Sequence, residues 1–189
     1  MNQPELVEQL RQGNESAFSK LVEEYQELVY NTAVGIVQDP DDADDITQEV
    51  FMQVYQSIGS FKGDSKLSTW LYRITVSKAL DLEKKKKRKK RFGIVQRLFG
   101  GKEEEQILPA EFEHPGVLME KRERAAALFK ALKQLAPNQR IAYTLHKLEG
   151  QSYQEIAEIM NTTLFAVESL MGRAKTNLKK ILNKYYEQE

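Results

Sequence analysis

Apolar residues recur at three- and four-residue steps along the first part of the chain, and this spacing predicts amphipathic helices. One stripe runs from Phe18 to Val37, and a second runs from Ile46 to Ile58. Asp39 and Pro40 lie between them and match the N-cap and first residue of a helix. A third helix is predicted over TWLYRITVSKALDLEKKKKRKK, after a loop with the sequence FKGDSKLST.

The helical pattern breaks over residues 92–119, which contain Gly-Gly, two prolines and a local acidic run. Such a composition is typical of a linker. Helical periodicity then resumes and continues almost to the end of the chain. We therefore predict an all-α protein in which two small helical domains, residues 1–91 and 120–189, are joined by a flexible linker.

The last part of the chain has the pattern of a short helix, a tight turn and a longer helix. Ser152 and Glu155 match a capping box, and Asn161 suits the left-handed residue that ends a helix. This is the helix-turn-helix pattern, whose second helix enters the DNA major groove. The predicted DNA-contacting residues of that helix are Phe165, Ala166, Glu168, Ser169, Arg173 and Lys175. The alternative is that the apolar positions only build a small helical core.

Charge changes this picture, because a formal net charge of zero hides two opposite regions. Residues 1–61 carry 2 basic and 12 acidic side chains, whereas residues 62–102 carry 14 basic and 3 acidic ones. Eight of these basic residues are consecutive, within the segment EKKKKRKKRF. A chain of this kind presents one surface to a polyanion and another to a different partner.

The composition gives little support for an enzyme. With no cysteine and only two histidines, neither a zinc site nor a catalytic triad is expected, and no Gly-rich phosphate loop occurs. The acidic run DPDDADD lacks the spacing of a calcium loop. We therefore predict no catalytic residue, no metal, no cofactor and no small-molecule substrate. Without a long apolar run or a signal peptide, we expect a cytoplasmic protein that does not insert into membranes.

Two blocks of the sequence resemble a known family. The segment DADDITQEVFMQVYQSIGSFKGDSKLSTWLYRITVSKALD resembles region 2 of bacterial RNA polymerase sigma factors of the extracytoplasmic-function class. The segment LAPNQRIAYTLHKLEGQSYQEIAEIMNTTLFAVESLMGRAKTNL resembles region 4 of the same class. The resemblance implies an alternative sigma factor that directs promoter recognition and transcription initiation. It also implies core RNA polymerase (its β′ clamp and β flap), promoter DNA and an anti-sigma factor as partners.

The resemblance assigns roles to particular residues. Four match the motif of the helix that docks on the polymerase clamp: Asp45, Gln48, Glu49 and Phe51. The residues matched to recognition of the −10 element are Phe61, Ser65, Ser68, Thr69, Arg73, Ser77 and Lys78. Because the basic segment lies at the C-terminal end of the helix that carries Arg73, Ser77 and Lys78, we predict that its cations bind DNA phosphates. These residues are Lys84, Lys85, Lys87, Arg88 and Arg91. The resemblance assigns recognition of the −35 element to the helix-turn-helix residues named above.

Several positions depart from the pattern of this class. Ser77 stands where the family usually has asparagine, and Glu168 and Leu170 flank Ser169 where basic residues are common. Because asparagine can contact a base through two hydrogen bonds and a serine cannot, we expect the base preference at the −10 element to be either changed or weakened. Fewer phosphate contacts are expected from the −35 helix.

Two other functions are compatible with the sequence. A stand-alone helix-turn-helix regulator would bind duplex DNA without polymerase, using the N-terminal half as a dimerisation or sensor module. A membrane-surface adaptor would use KKKKRKKRFGIVQRLF as a basic amphipathic anchor. The apolar part of this anchor is only a few residues long, so the membrane-surface adaptor is the weaker of the two alternatives.

Overall fold

In a computed structural model, residues 2–98 and 119–186 are described, with side chains described for 2–89 and 126–183. These residues form helices and loops without a strand, which confirms the predicted all-α class. The helices are α1 (Gln3–Arg11), α2 (Glu15–Val37), α3 (Pro40–Ser57), α4 (Leu67–Leu98), α5 (Met119–Lys133), α6 (Pro137–Lys147), α7 (Tyr153–Ile159) and α8 (Leu164–Tyr186). A short 3₁₀ turn, Ile58–Ser60, follows α3.

The helix boundaries follow from local capping chemistry. The side chain of Asp39 accepts a hydrogen bond from the amide of Asp42 at 3.1 Å, which makes it the predicted N-cap of α3. Ser152 and Glu155 form the predicted capping box of α7. Asn161 has a φ of 49°, the left-handed conformation expected between α7 and α8.

The N-terminal module, α1 to α4, is built around α2. The apolar stripe of α2 is fully buried at Leu21, Val29 and Ile36, and it packs against α3 and α4. Helix α1 was not predicted from the sequence. It packs against α2 through Leu6, Val7 and Leu10 and lies beside the turn that follows α3.

The C-terminal module, α5 to α8, is held by α8, which contacts α5, α6 and α7. Ala131 and Leu132 of α5 pack on Ala174 and Leu178 of α8. No helix in the described parts of the chain is long and apolar enough to cross a bilayer.

Helix α4 continues beyond the predicted start of the linker. It ends at Leu98, whereas the linker was predicted to begin at residue 92. The basic residues favour a helix, and a single glycine, Gly93, does not end one. Residues 99–118, which make up most of the predicted linker, lie outside the described residues, and the division into domains stays a prediction.

The two modules pack against each other. Helix α6 contacts α2, and α7 contacts α4. Apolar residues of both modules belong to one continuous core, in which Ile141 and Leu145 of α6 join the residues of α2 to α4. The packing of the two modules against each other was not predicted from the sequence.

Candidate nucleic-acid interface

The outer face of α3 is an acidic surface with an exposed apolar pair. Asp45, Gln48 and Glu49 are exposed there, and Met52 and Tyr55 extend the same face with 61% and 57% of their surface accessible. This pair was not predicted from the sequence, although both residues follow Gln48 at helical spacing. Exposed apolar residues within a polar rim are typical of a protein contact.

Phe51, which was predicted together with the polymerase-binding residues, lies on the opposite face. It is only 7% exposed and belongs to the core of the N-terminal module. Its spacing from Val54 and Ile58, which are buried too, indicates this position. In this arrangement Phe51 positions α3 rather than forming part of the exposed face.

The loop before α4 is closed by aromatic packing and by α1. Phe61 is only 5% exposed, with its ring centre 5.1 Å from that of Trp70, and its carbonyl accepts a hydrogen bond from Arg11. The amide of Leu67 donates to the side chain of Gln3 at 2.9 Å. The aromatic ring of Phe61, which was predicted to help recognise the −10 element, is therefore covered in this conformation.

The other predicted −10 residues differ in accessibility. Thr69 is buried, Ser65 and Ser68 are half-buried, and Ser77 is exposed. Leu71 is fully buried, as expected for a core residue. Only some of the residues predicted to contact the −10 element are therefore accessible in this conformation.

The two basic members of the −10 set have protein partners. Nε of Arg73 donates to the carbonyl of Glu158 in α7 at 3.0 Å. Nζ of Lys78 lies 3.1 Å from the carboxylate of Glu49, so an ion pair joins the predicted −10 surface to the outer face of α3. Both cations are thus held by protein groups rather than left free for a phosphate.

The basic segment of α4 lies beside acidic groups. Lys86 is paired with Asp42 at the start of α3, and Lys84 with Asp81 at 3.2 Å. Lys85, Lys87 and Arg88 are exposed on the same helix. The side chain of Arg91, also predicted to bind phosphate, lies outside the described side chains. Exposed ion pairs contribute about 0–1 kcal/mol, so they compete weakly with phosphates.

The helix-turn-helix presents an open face. Thr163 accepts a hydrogen bond from the amide of Ala166 and caps α8. Phe165 is 77% exposed, Glu168, Arg173 and Lys175 are exposed, and Ala166 and Ser169 are half-buried. The opposite face is buried at Val167, Met171, Ala174 and Leu178. The predicted −35 residues therefore share the accessible side of one helix.

Two carboxylates near α7 have opposite pKa shifts. Burial raises the pKa of Glu149, and hydrogen bonds from Tyr72 and Thr32 partly oppose this effect. The hydrogen bonds from the backbone and side chain of Ser152 lower the pKa of Glu155. Burial therefore disfavours the charged form of Glu149, whereas the helix N-terminus stabilises the charged form of Glu155.

Family models match both modules. Residues 21–89 match Sigma-70 region 2, and residues 125–178 match Sigma-70, region 4. The chain is 33% identical over 179 residues to the RNA polymerase sigma-H factor of Pseudomonas aeruginosa, covering 94% of this chain and 92% of that one. It is 34% identical over 170 residues to the ECF RNA polymerase sigma-E factor of Escherichia coli K12, covering 90% and 88%.

Two solved structures share the fold. CnrH in complex with the cytosolic domain of CnrY has a TM-score of 0.67 and 23% identity, covering 95% of this chain and 96% of that one. The sigma factor RpoE in complex with the anti-sigma factor NepR from Bartonella quintana has a TM-score of 0.64 and 25% identity, covering 88% and 96%.

Proposed function

The chain belongs to the sigma-70 family of RNA polymerase sigma factors, and we propose that it is an alternative sigma factor of the extracytoplasmic-function type. It binds core RNA polymerase in the cytoplasm and directs the enzyme to promoters without catalysing a reaction itself. The observation that carries this proposal is the match of region 2 and region 4 in that order. Relatives that are sigma factors align with 90% or more of the chain.

The outer face of α3 is the proposed contact with the β′ clamp of the polymerase. Asp45, Gln48 and Glu49 supply its polar part, and the exposed Met52 and Tyr55 supply apolar area. Acidic residues around an apolar centre give both charge steering toward a basic partner and burial after contact. This assignment explains why the acidic part of the chain does not face DNA.

The loop before α4 and the exposed side of α4 are the proposed −10 site. Taking a base out of the stack costs a few kcal/mol, so the site must offer an aromatic surface and hydrogen-bonding groups in return. Phe61, Ser65, Ser68 and Thr69 supply these groups once the loop has opened. Ser77 lies on the exposed side of α4 and tunes base preference there.

Helix α8 is the proposed −35 site, and the basic segment of α4 binds phosphates. The exposed Phe165 can contact thymine methyl groups, and Glu168 can accept a hydrogen bond from cytosine N4. The exposed Lys85, Lys87 and Arg88 fix position without specifying sequence. Sequence discrimination and phosphate affinity are therefore assigned to different helices.

An anti-sigma factor is the proposed regulatory partner. In its solved complex, the similar sigma factor RpoE is bound to the anti-sigma factor NepR. A protein inhibitor is expected to cover the polymerase-binding or DNA-binding surfaces named above.

Core-dependent transcription tests the proposed function. The purified chain with core polymerase is expected to start transcription at promoters selected from a random library, and core polymerase alone is not. Asp45→Lys should abolish most of this activity, whereas Glu23→Lys, at an exposed site on α2, should retain it. Tight sequence-specific binding to duplex DNA without polymerase would instead support the stand-alone regulator.

A further inference from the structure

Helix α1 precedes the residues that match the family model of region 2, and that match assigns it no role. It is fixed to the N-terminal module through its apolar face. Leu6, Val7 and Leu10 are buried against α2, and α1 also contacts the 3₁₀ turn that follows α3. The two ends of α1 carry polar side chains, Gln3 and Arg11, that reach the loop before α4.

Both ends of this loop are bound by α1. The carbonyl of Phe61, where the loop begins, accepts a hydrogen bond from the guanidinium of Arg11. The amide of Leu67, where the loop ends, donates to Oε1 of Gln3 at 2.9 Å. Residues 62–66, between these two points, are exposed except for one half-buried serine. Helix α1 therefore fixes the loop backbone at both ends and leaves the middle of the loop accessible.

The hydrogen bond from Leu67 to Gln3 caps α4 from a distance. Leu67 is the first residue of α4, so its amide has no acceptor within the helix. Helices α2 and α3 begin with local side-chain caps, Asn14 and Asp39. The residue before Leu67 is Lys66, whose side chain has no acceptor atom. Gln3 therefore supplies from α1 an acceptor that Lys66 cannot offer.

Arg11 is oriented toward the loop by a second contact. One of its terminal nitrogens lies 3.6 Å from the carboxylate of Glu8, one turn earlier in α1, and the other donates to the Phe61 carbonyl. The ring of Phe61 packs against Trp70 of α4, with 5.1 Å between ring centres. The start of the loop is thus tied to α1 through its backbone and to α4 through its side chain.

We propose that Gln3 and Arg11 are positioning residues for the −10 site, which hold the two ends of the loop so that its middle presents one shape to an unstacked base. The proposal rests on the proposed function for the identity of the base-binding loop. Both contacts are made to backbone atoms, so the side chains of the loop can rearrange between fixed ends when it opens. A loop with free ends would adapt to any base, whereas a preorganised loop discriminates against a base that fits poorly.

Amide hydrogen exchange on the full chain, without polymerase or DNA, tests the contact to Leu67. Gln3→Leu removes the acceptor, so the Leu67 amide should exchange about 3–10-fold faster than in wild type. Gln3→Glu keeps an acceptor oxygen in this position and should retain the protection. Glu5→Leu, at an exposed site on the same helix, is the matched control and should leave the Leu67 amide unchanged. Unchanged exchange in Gln3→Leu would show that Gln3 does not cap α4.

Base discrimination by the holoenzyme tests the positioning role. Four promoters that differ in one base of the −10 element give the ratio of affinities for the best and the worst base. Gln3→Leu and Arg11→Met should each reduce this ratio about 3–10-fold, the factor that one hydrogen bond typically contributes. Gln3→Glu should restore the ratio. Preference at the −35 element should stay the same in every variant, because its proposed contacts lie on α8.

A merely structural role for α1 predicts a different result. It would weaken binding to all four promoters equally and leave the ratio unchanged, and that outcome would overturn the proposal.

The proposed function fails separately. A wild-type chain that does not bind core polymerase would reject it, together with the role of the loop at the −10 element. A wild-type holoenzyme that starts transcription, but keeps its base ratio in both Gln3→Leu and Arg11→Met, would reject the positioning role alone.

Discussion

The two helices assigned to DNA recognition, α4 and α8, differ in how their functional residues are held. Phe165 stands 77% exposed at the start of α8, whereas Phe61 before α4 is 5% exposed against Trp70. The residues of α8 occupy one free face with the core behind them. Those of α4 alternate with core residues and contact α1 and α7.

This difference has a physical cause and a consequence. Helix α4 lies within the N-terminal core and also forms part of the contact with the C-terminal module, whereas α8 is buried on one side only. If the proposed −10 site is correct, a substitution at the start of α4 should therefore change stability and DNA binding together. A substitution on the free face of α8 should change DNA binding alone.

The largest expected effect is the loss of stability in Leu71→Ala. Leu71 is fully buried, so its truncation should lower the free energy of unfolding by about 2–5 kcal/mol. Urea denaturation measures this value. Phe165→Ala is the matched control on α8 and should change it by about 0.5 kcal/mol or less. Equal losses in both variants would remove the distinction between the two helices.

Phe165→Ala should instead weaken promoter binding. Loss of the contact to one base pair typically costs about 1–3 kcal/mol, and Phe165 is the most exposed of the large apolar residues described. Binding of the holoenzyme to a selected promoter and to the same promoter with a changed −35 element measures the effect. Gln154→Ala, exposed on α7, should leave both affinities unchanged. An effect equal on both promoters would place Phe165 outside base recognition.

Much of the fold could be predicted because helix ends are encoded locally. Asp39, Ser152, Glu155 and Asn161 act within four residues of their partners, and each was identified from the sequence. Helix α1 escaped prediction although its buried Leu6, Val7 and Leu10 were available as a signal.

The site was less predictable, since its accessibility depends on distant residues. The arginine that binds the Phe61 carbonyl is 50 residues away in sequence, and Thr144, which leaves no room for a Cβ atom at Gly35, is 109 residues from that glycine. No local pattern distinguishes a glycine required by a neighbouring module from one that merely weakens a helix. The exposed Met52 and Tyr55 could have been placed beside Gln48 by helical spacing alone.

Neutralising the basic segment should separate phosphate affinity on α4 from base recognition on α8. Replacing Lys84, Lys85, Lys87 and Arg88 by glutamine should reduce the slope of log K against log salt by roughly 3–4 units for the promoter complex. Promoter preference should stay the same, because phosphate contacts do not specify sequence. Binding titrations at several salt concentrations measure the slope. Lys175→Gln on α8 should change it by about one unit, and an unchanged slope in the fourfold variant would contradict the assignment.

The smallest expected effect concerns Glu149, where the contact between the modules meets α4. Its pKa is raised, mainly because burial penalises the charged carboxylate, while Tyr72 and Thr32 donate hydrogen bonds that lower it and the charge of Glu27 raises it. The folded chain therefore binds a proton more readily than the unfolded chain. Stability should fall as pH rises from the ordinary value of 4.5 through the raised pKa, and then level off. Urea titrations at several pH values above 4.5 should show that the free energy of unfolding declines in wild type and does not decline in Glu149→Gln. Glu155→Gln serves as the opposite control, because the pKa of Glu155 is lowered and its contribution is lost only as pH falls below 4.5. A decline that persists in Glu149→Gln would mean that Glu149 is not the source of the pH dependence. Burial of its carboxylate between the modules would then not lower the stability of the folded chain.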